Sequence, residues 1–325
     1  MGAVRAEPAD PRRRASGWAA ASERGSHHSL RLAGWCFRHL GAGFLRVFRA
    51  PVAAYYTLFA RSARRASREY LAQLDRLEGR AGMPRRHWLD TYRHFHCFAD
   101  AILDRFSFWA GAYDGFDIEI NGREHMQGLI ESGRGAVLVG AHLGNFDVLR
   151  AISRDAGVRV NVLMFTANAQ RINQVLAALD PDSEVRLIEV DPSSVSSAFA
   201  LRRCVERGEF VAVLGDRVRQ GGRSRVSRAS FLGRPACFPQ GPFLMAMILG
   251  LPTLLTLALK TGPRRYDVYL ETLAGGEAVP ARERGKVLQE RVEAFAARVQ
   301  HYCTLAPFQW FNFYDFWAEQ GDASV

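Results

Sequence analysis

The chain has 325 residues, 48% hydrophobic and 23% charged. That is enough to bury one large α/β core or two modest domains, and too apolar for wholesale disorder. The net charge is +10 and is carried almost entirely by arginine, because the only lysines are Lys260 and Lys286. Two readings of that charge stand side by side. One is the arginine-rich codon usage of a GC-rich genome. The other is a basic surface that meets phospholipid headgroups, an acidic carrier protein or nucleic acid.

Residues 1–29 are rich in Ala, Arg, Ser and Gly and are expected to form a disordered tail. Arg12-Arg13-Arg14 has no apolar segment behind it, so a cleaved export signal is not expected. Residues 30–62 differ. Leu30, Leu32, Trp35, Phe37, Leu40, Phe44, Leu45, Val47 and Phe48 interleave with Arg31, Arg38, Arg46 and Arg49, and Pro51 then breaks the run. The uncharged stretch Val52 to Ala60 is short of the roughly 20 apolar residues a spanning helix needs. It suits a helix lying in a membrane interface, with Arg61, Arg64, Arg65 and Arg68 facing anionic lipid. The alternative is a soluble helix packed on the domain that follows, residues 63–318.

Within that domain, Ala63–Leu77 and residues 85–110 read as helices. His94 and His96 lie beside Cys97, but positions two apart on a helix do not share a face, so a metal site is not expected there. The five cysteines, 36, 97, 204, 237 and 303, are odd in number and form no Cys-x-x-Cys pair, which fits a reducing compartment. Strands and helices then alternate. Strands are predicted at Phe116–Ile120, Ala136–Val139, Val158–Met164, Val185–Val190, Phe210–Leu214, Thr253–Leu259 and Tyr266–Leu270. Helices are predicted at Arg123–Glu131, Asn145–Ala156, Ala167–Leu179, Ser193–Arg207, Gly241–Leu249 and residues 283–304. The pattern predicts a single α/β domain with a mixed, largely parallel sheet flanked by helices, its ligands at the carboxyl ends of strands. The aromatic run from Phe308 to Trp317 either packs on this core or dips into lipid.

Candidate chemistry begins at Gly140-Ala141-His142-Leu143-Gly144-Asn145-Phe146-Asp147. Asn145 is suited to cap the following helix, with Asp147 in its first turn. Asp147 is placed to hold one ring nitrogen of His142 and leave the other as a base. His-x4-Asp spacing alone is weak evidence: with 33 acidic residues and nine histidines, chance supplies about one match. Its position on a strand–turn–helix junction adds weight; the competing reading is a surface histidine beside an unrelated capping aspartate. Amides around Gly144 and Asn145 are candidate oxyanion donors. Asp216-Arg217 follows a predicted buried strand, where it either binds substrate at the sheet rim or forms a structural ion pair. Gly233-Arg234 precedes a helix opened by Pro242, whose free amides suit an anion; Arg234 is a phosphate contact or a solvated loop arginine. There is no Gly-x-Ser-x-Gly elbow, no Gly-x-x-x-x-Gly-Lys loop and no Gly-x-Gly-x-x-Gly after a strand, which disfavours serine hydrolases and the commonest nucleotide folds.

Together, Gly140 to Asp147, Gly215-Asp216-Arg217 and Phe231-Leu232-Gly233-Arg234-Pro235-Ala236 resemble the bacterial lipid A biosynthesis (lauroyl/myristoyl) acyltransferase family, within the lysophospholipid acyltransferase superfamily. The resemblance extends from about residue 30 to about 318. It takes in Arg61–Tyr70, Arg93-His94-Phe95, Leu103 to Phe106, and Asn168 to Pro181 with Arg171 and Asn173. It implies transfer of a fatty acyl group from acyl carrier protein or coenzyme A to a lipid hydroxyl, without cofactor or metal, at the cytoplasmic face of the inner membrane. His142 would be the general base, Asp147 its charge partner, and Arg171 and Arg234 acceptor or headgroup contacts. Lipid A acyltransferases usually carry glutamate where this chain has Asp147. The aromatic ending looks more like relatives from clusters for polyene and other specialised lipids. The partners implied are the acyl carrier, a membrane lipid acceptor and an anionic membrane surface. Nucleic acid is not among them, because no recognition motif accompanies the charge. An alternative is a membrane-surface lipid-binding or assembly protein that kept the fold without catalysis.

Overall fold

The computed structural model describes residues 43, 46–79, 87–164, 185–189, 201–204, 206–218 and 225–317. The predicted tail 1–29, the helix Ala167–Leu179 with Arg171 and Asn173, and the first half of Ser193–Arg207 lie outside the described residues.

Nine strands form two sheets among the described residues. They are β1 (Asp117–Asn121), β2 (Val137–Gly140), β3 (Val160–Met164), β4 (Val185–Glu189), β5 (Phe210–Leu214), β6 (Val226–Phe231), β7 (Arg234–Pro239), β8 (Thr253–Gly262) and β9 (Arg265–Ala274). Seven make the main sheet in the order β1-β9-β8-β2-β5-β3-β4. Every pairing in it is parallel except the β8–β9 hairpin. The fold is therefore α/β with a mixed, mostly parallel sheet, and helices cover both of its faces.

The sequences of the central strands require that cover. β2 is buried along its whole length, as a parallel strand between two helical layers must be. Its side chains alternate between two cores. Val137 and Val139 join Leu255, Leu257, Val211 and Val213 on one face. Ala136 and Leu138 join Phe210, Ala212 and Leu254 on the other.

The helices are α1 (Arg49–Phe59), α2 (Arg61–Leu77), α3 (His87–Trp109), α4 (Arg123–Glu131), α5 (Leu149–Ala156), α6 (Gly241–Leu249) and α7 (Arg284–Leu305). Tyr70, Leu71 and Leu74 of α2 pack on the first face with α6 and α7. Phe108 of α3, Met126 of α4, and Leu149 and Ile152 of α5 pack on the second. Pro51 starts rather than stops a helix, because in the first turn of α1 its missing N–H has no intrahelical partner to lose.

The sheet strands fall close to their predicted positions, but the β6–β7 hairpin is an addition to them. Phe231 pairs with Arg234 across a two-residue turn. Leu232 and Gly233 take φ of 52° and 77° in that turn, which suits a hairpin whose two central residues are left-handed. The segment predicted as a helix from Asn145 begins as a 3-10 turn, Phe146–Val148, and becomes α-helical at Leu149.

The aromatic ending resolves in favour of the core. Trp310, Phe311, Tyr314, Phe316 and Trp317 are all buried. Phe231 and Trp310 sit 5.2 Å apart, and Trp310 and Phe316 4.8 Å. A cluster of exposed apolar side chains lies instead on and just before α1, where Val47, Phe48, Val52, Tyr55, Leu58 and Phe59 all face outward. Among the described residues no helix is long and apolar enough to cross a membrane.

Candidate active site

Parallel pairing of β2 with β5 sets Gly140 level with Leu214, and the amide of Gly215 donates to Gly140 O at 2.9 Å. Two residues further along each strand, the same register brings His142 and Asp216 together beyond the carboxyl edge of the sheet. Asp216 is fully buried, and its Oδ1 lies 2.7 Å from His142 Nδ1. Its Oδ2 accepts the backbone N–H of the same histidine at 2.9 Å. Oδ2 also accepts Trp310 Nε1 at 3.1 Å and Asn312 Nδ2 at 2.9 Å.

Those bonds determine the protonation of the pair. Burial alone would raise the Asp216 carboxyl. Attraction to His142, through its ring and backbone N–H groups, and the positive charge of Arg217 outweigh it and hold the group down at about 2. An ionised carboxylate only accepts, so Nδ1 of His142 must carry the hydrogen and Nε2 a lone pair. Burial and the positive charge of Arg217, opposed by Asp216, keep the imidazole pKa below its ordinary value of 6.5. The ring is therefore neutral near pH 7, the state a general base requires. Its side chain remains 24% exposed, and no described residue bonds Nε2.

The loop that carries His142 is fixed by Ala258 of β8 and by Gln309, Trp310 and Phe311 of the aromatic segment. Leu143 bridges to Trp310, and Gly144 to Ala258 of β8. The amide of Phe311 donates to His142 O at 2.7 Å, and that of Gly144 donates to Gln309 O at 2.9 Å. The amide of Asn145 donates to Ala258 O at 2.9 Å. Gly144 has φ +74°, and a Cβ there would lie 1.9 Å from Ala258 O, so only glycine fits.

The sequence-predicted site residues divide accordingly. His142 and Asp216 meet. Asp147, expected to hold the imidazole, is engaged elsewhere: Trp109 Nε1 donates to its Oδ1 at 2.7 Å, and Arg105 Nε lies 2.6 Å from its Oδ2. The amides of Gly144 and Asn145, expected to face an oxyanion, are consumed by backbone carbonyls. Asn145 keeps its other expected role, because its Oδ1 caps the Asp147 amide at 3.1 Å. Arg217 donates through Nε to Asn312 Oδ1 at 2.6 Å and packs over the Tyr314 ring. Gly233 serves the hairpin turn. Arg234, expected to contact phosphate, instead pairs with Glu69 of α2 at 2.6 Å and lies over Trp317.

Arg105, Trp109, Trp310 and Asn312 belong to this constellation and were not assigned to it from sequence. Asn312 carried a signal, as a polar residue inside an aromatic run. His94 is buried, with Nδ1 2.9 Å from Ser67 Oγ and Nε2 2.9 Å from Trp310 O. Among the described residues no group of three or more His, Cys, Asp or Glu could hold a metal ion. Compared with protein-family models and with curated proteins, the chain matches none.

Proposed function

We propose that this chain is an acyltransferase that moves a fatty acyl group from an acyl thioester, on acyl carrier protein or coenzyme A, to a hydroxyl of a membrane lipid or glycolipid. One observation carries the reading. A neutral, half-buried histidine stands at the carboxyl edge of a parallel sheet, with Nδ1 held by a buried aspartate and Nε2 open. A thioester is already activated, so the barrier lies in the weak hydroxyl nucleophile. His142 Nε2 takes the hydroxyl proton as the oxygen attacks the thioester carbonyl. The tetrahedral adduct then expels the thiolate, which recovers that proton from the imidazolium, leaving an ester and a free thiol. Asp216 stabilises the transient imidazolium without taking the proton.

The uncovered apolar face of α1 supports action at a membrane surface. Val52, Tyr55, Leu58 and Phe59 are exposed on it, and Arg61, Arg65 and Arg68 are exposed just beyond, a combination that suits an anionic interface. Arg64 is not part of this group: its guanidinium turns back to the carbonyls of Thr57 and Leu58 and closes the end of α1. On this reading the protein works at the cytoplasmic face of the bacterial inner membrane, where both acyl carriers occur.

The deciding experiment offers the purified protein acyl carrier thioesters, coenzyme A thioesters and a bacterial lipid extract, and follows acylated lipid. His142→Ala should lower turnover by about 10²–10⁴-fold. Full turnover in that variant would remove the assigned mechanism. Deleting residues 30–60 should release the protein from membrane fractions.

A further inference from the structure

Asp147 does not stand idle. Arg105 and Trp109 are four apart on α3 and so share a face, and both reach the same carboxylate, one at each oxygen. The Arg105 guanidinium also lies 5.9 Å from the centre of the Trp109 ring. Asp147 is itself fixed by the Asn145 cap on its amide. The Arg105 side chain is thus ion-paired along its Nε edge, while its two terminal nitrogens bond no described residue, and it stays 38% exposed. Arg150 Nε lies 3.9 Å from Asp147 as well. Asp147 lies in the 3-10 turn Phe146–Val148 that ends the loop carrying His142, which brings the Arg105–Asp147 pair to that loop. Arg217 is turned toward Asn312 and the Phe311 carbonyl.

We propose that Arg105, oriented by Asp147, is a binding residue for a phosphate group on one of the two substrates, seated beside the base His142. A guanidinium fixed at one edge and open at the other presents parallel donors, the geometry that grips phosphate oxygens in pairs. Asp147 is then a positioning residue, acting on the substrate through Arg105 rather than on the imidazole. The inference rests on the acyl-transfer reading for the identity of the substrates, but the phosphate seat itself is independent of turnover. Two sources carry the same chemistry: the phosphates of the donor's pantetheine-bearing carrier and the headgroup of the lipid acceptor.

Because the chain is rich in arginine, a local readout is needed. The full chain would be titrated with inorganic phosphate while the His142 imidazole is followed by nuclear magnetic resonance across pH. A phosphate held by Arg105 should raise the imidazole midpoint by about one pH unit. Arg105→Gln should abolish that rise, and Arg105→Lys, which keeps charge but loses the planar guanidinium, should retain part of it. No rise in the native chain, or the same rise in Arg105→Gln, overturns the proposal whether or not the protein transfers acyl groups.

Kinetics then separate the sources. Donor thioesters of coenzyme A and of N-acetylcysteamine, with one acyl chain, differ in phosphate; so do lysophosphatidate and monoacylglycerol as acceptors. Arg105→Gln should reduce the kcat/KM preference for the phosphate-bearing member of one pair by about tenfold, worth about 1.4 kcal/mol. Asp147→Asn should reduce it in the same pair by a smaller factor. An equal loss of kcat with both members of both pairs would place Arg105 at the tetrahedral oxyanion instead and overturn the phosphate assignment. Melting temperatures of each variant would distinguish lost recognition from lost fold.

Discussion

The indole N–H of Trp310 donates to the Asp216 carboxylate, joining residues 94 positions apart. Both are buried, so the bond is made to an ionised acceptor out of reach of bulk water. Trp310→Phe keeps most of the ring and removes the donor. Charge-assisted bonds of this kind contribute about 1.5–3 kcal/mol, and the variant should lose about that much in urea unfolding. A loss under about 0.5 kcal/mol would mean that His142 and Asn312 satisfy Asp216 without help.

The pH profile follows from the direction of the histidine shift. Because its pKa lies below 6.5, His142 gains its proton only in more acidic solution, and the acid limb of kcat/KM should fall below pH 6.5. Asp216→Asn removes the charge and hydrogen bond that raise the imidazole, so this limb should move further down. The amide also offers an N–H where the carboxylate accepted one, which favours the wrong tautomer. Turnover should fall on the order of 10²–10⁴-fold. A variant with an upward-shifted limb would contradict the assignment of Asp216 as the imidazole's partner.

His94 predicts an acid weakness in the fold. Its Nε2 donates to the Trp310 carbonyl and its Nδ1 accepts from Ser67, so the buried ring is neutral. Burial pulls its pKa from 6.5 down to about 4, against the carbonyl bond. Above pH 6.5 the ring is neutral in both folded and unfolded chains, and its full contribution is present. Between 6.5 and about 4 the unfolded chain takes up a proton that the folded one refuses, and stability is lost. The interval corresponds to about 3 kcal/mol. Chemical unfolding measured at pH 7 and pH 4.5 should show the drop, and His94→Gln should flatten it.

Lys260 of β8 bridges Asp100 and Asp104 of α3, the latter at 2.5 Å. Arg49 reaches Asp100 at 2.5 Å, and Arg46 lies 3.6 Å from Asp104. Tyr266 donates to Asp104 at 2.8 Å, and Asn145 approaches Tyr266 at 3.4 Å. This mostly buried relay links α1 to the loop after β2. Lys260→Met leaves two carboxylates short of a cation and should destabilise by about 3 kcal/mol. Adding Asp104→Asn should recover part of that loss in a double-mutant cycle; strict additivity would show that the pair does not interact.

What could be read from the sequence was whatever depended on local pattern. The strand at Phe210–Leu214 and the helices Arg123–Glu131 and Gly241–Leu249 match their predicted limits, because apolar runs and their flanking turns specify them. The β6–β7 hairpin escaped because Pro235 and Pro239 lie inside β7. A two-stranded sheet tolerates them, having no further neighbour that needs the missing donors. Partner choice at the site depended on strand order. Asp147 is five residues from His142 and Asp216 seventy-four, yet adjacency of β2 and β5 makes the distant one the nearer. Residues 142 and 216 were both identified as strand-end positions, and only the pairing between their strands was missing. The pairing of Arg234 with Glu69 left no local trace, because the two lie 165 positions apart.

The strand-like stretch Gln309–Phe311, which receives His142, Leu143 and Gly144 along its length, also imposes an order in time. Until the ribosome has passed residue 312, the Gly144 amide, the His142 carbonyl and one side of Asp216 lack the partners that hold them. A chain broken before this stretch would leave the loop around His142 and the Asp216 carboxylate without those partners.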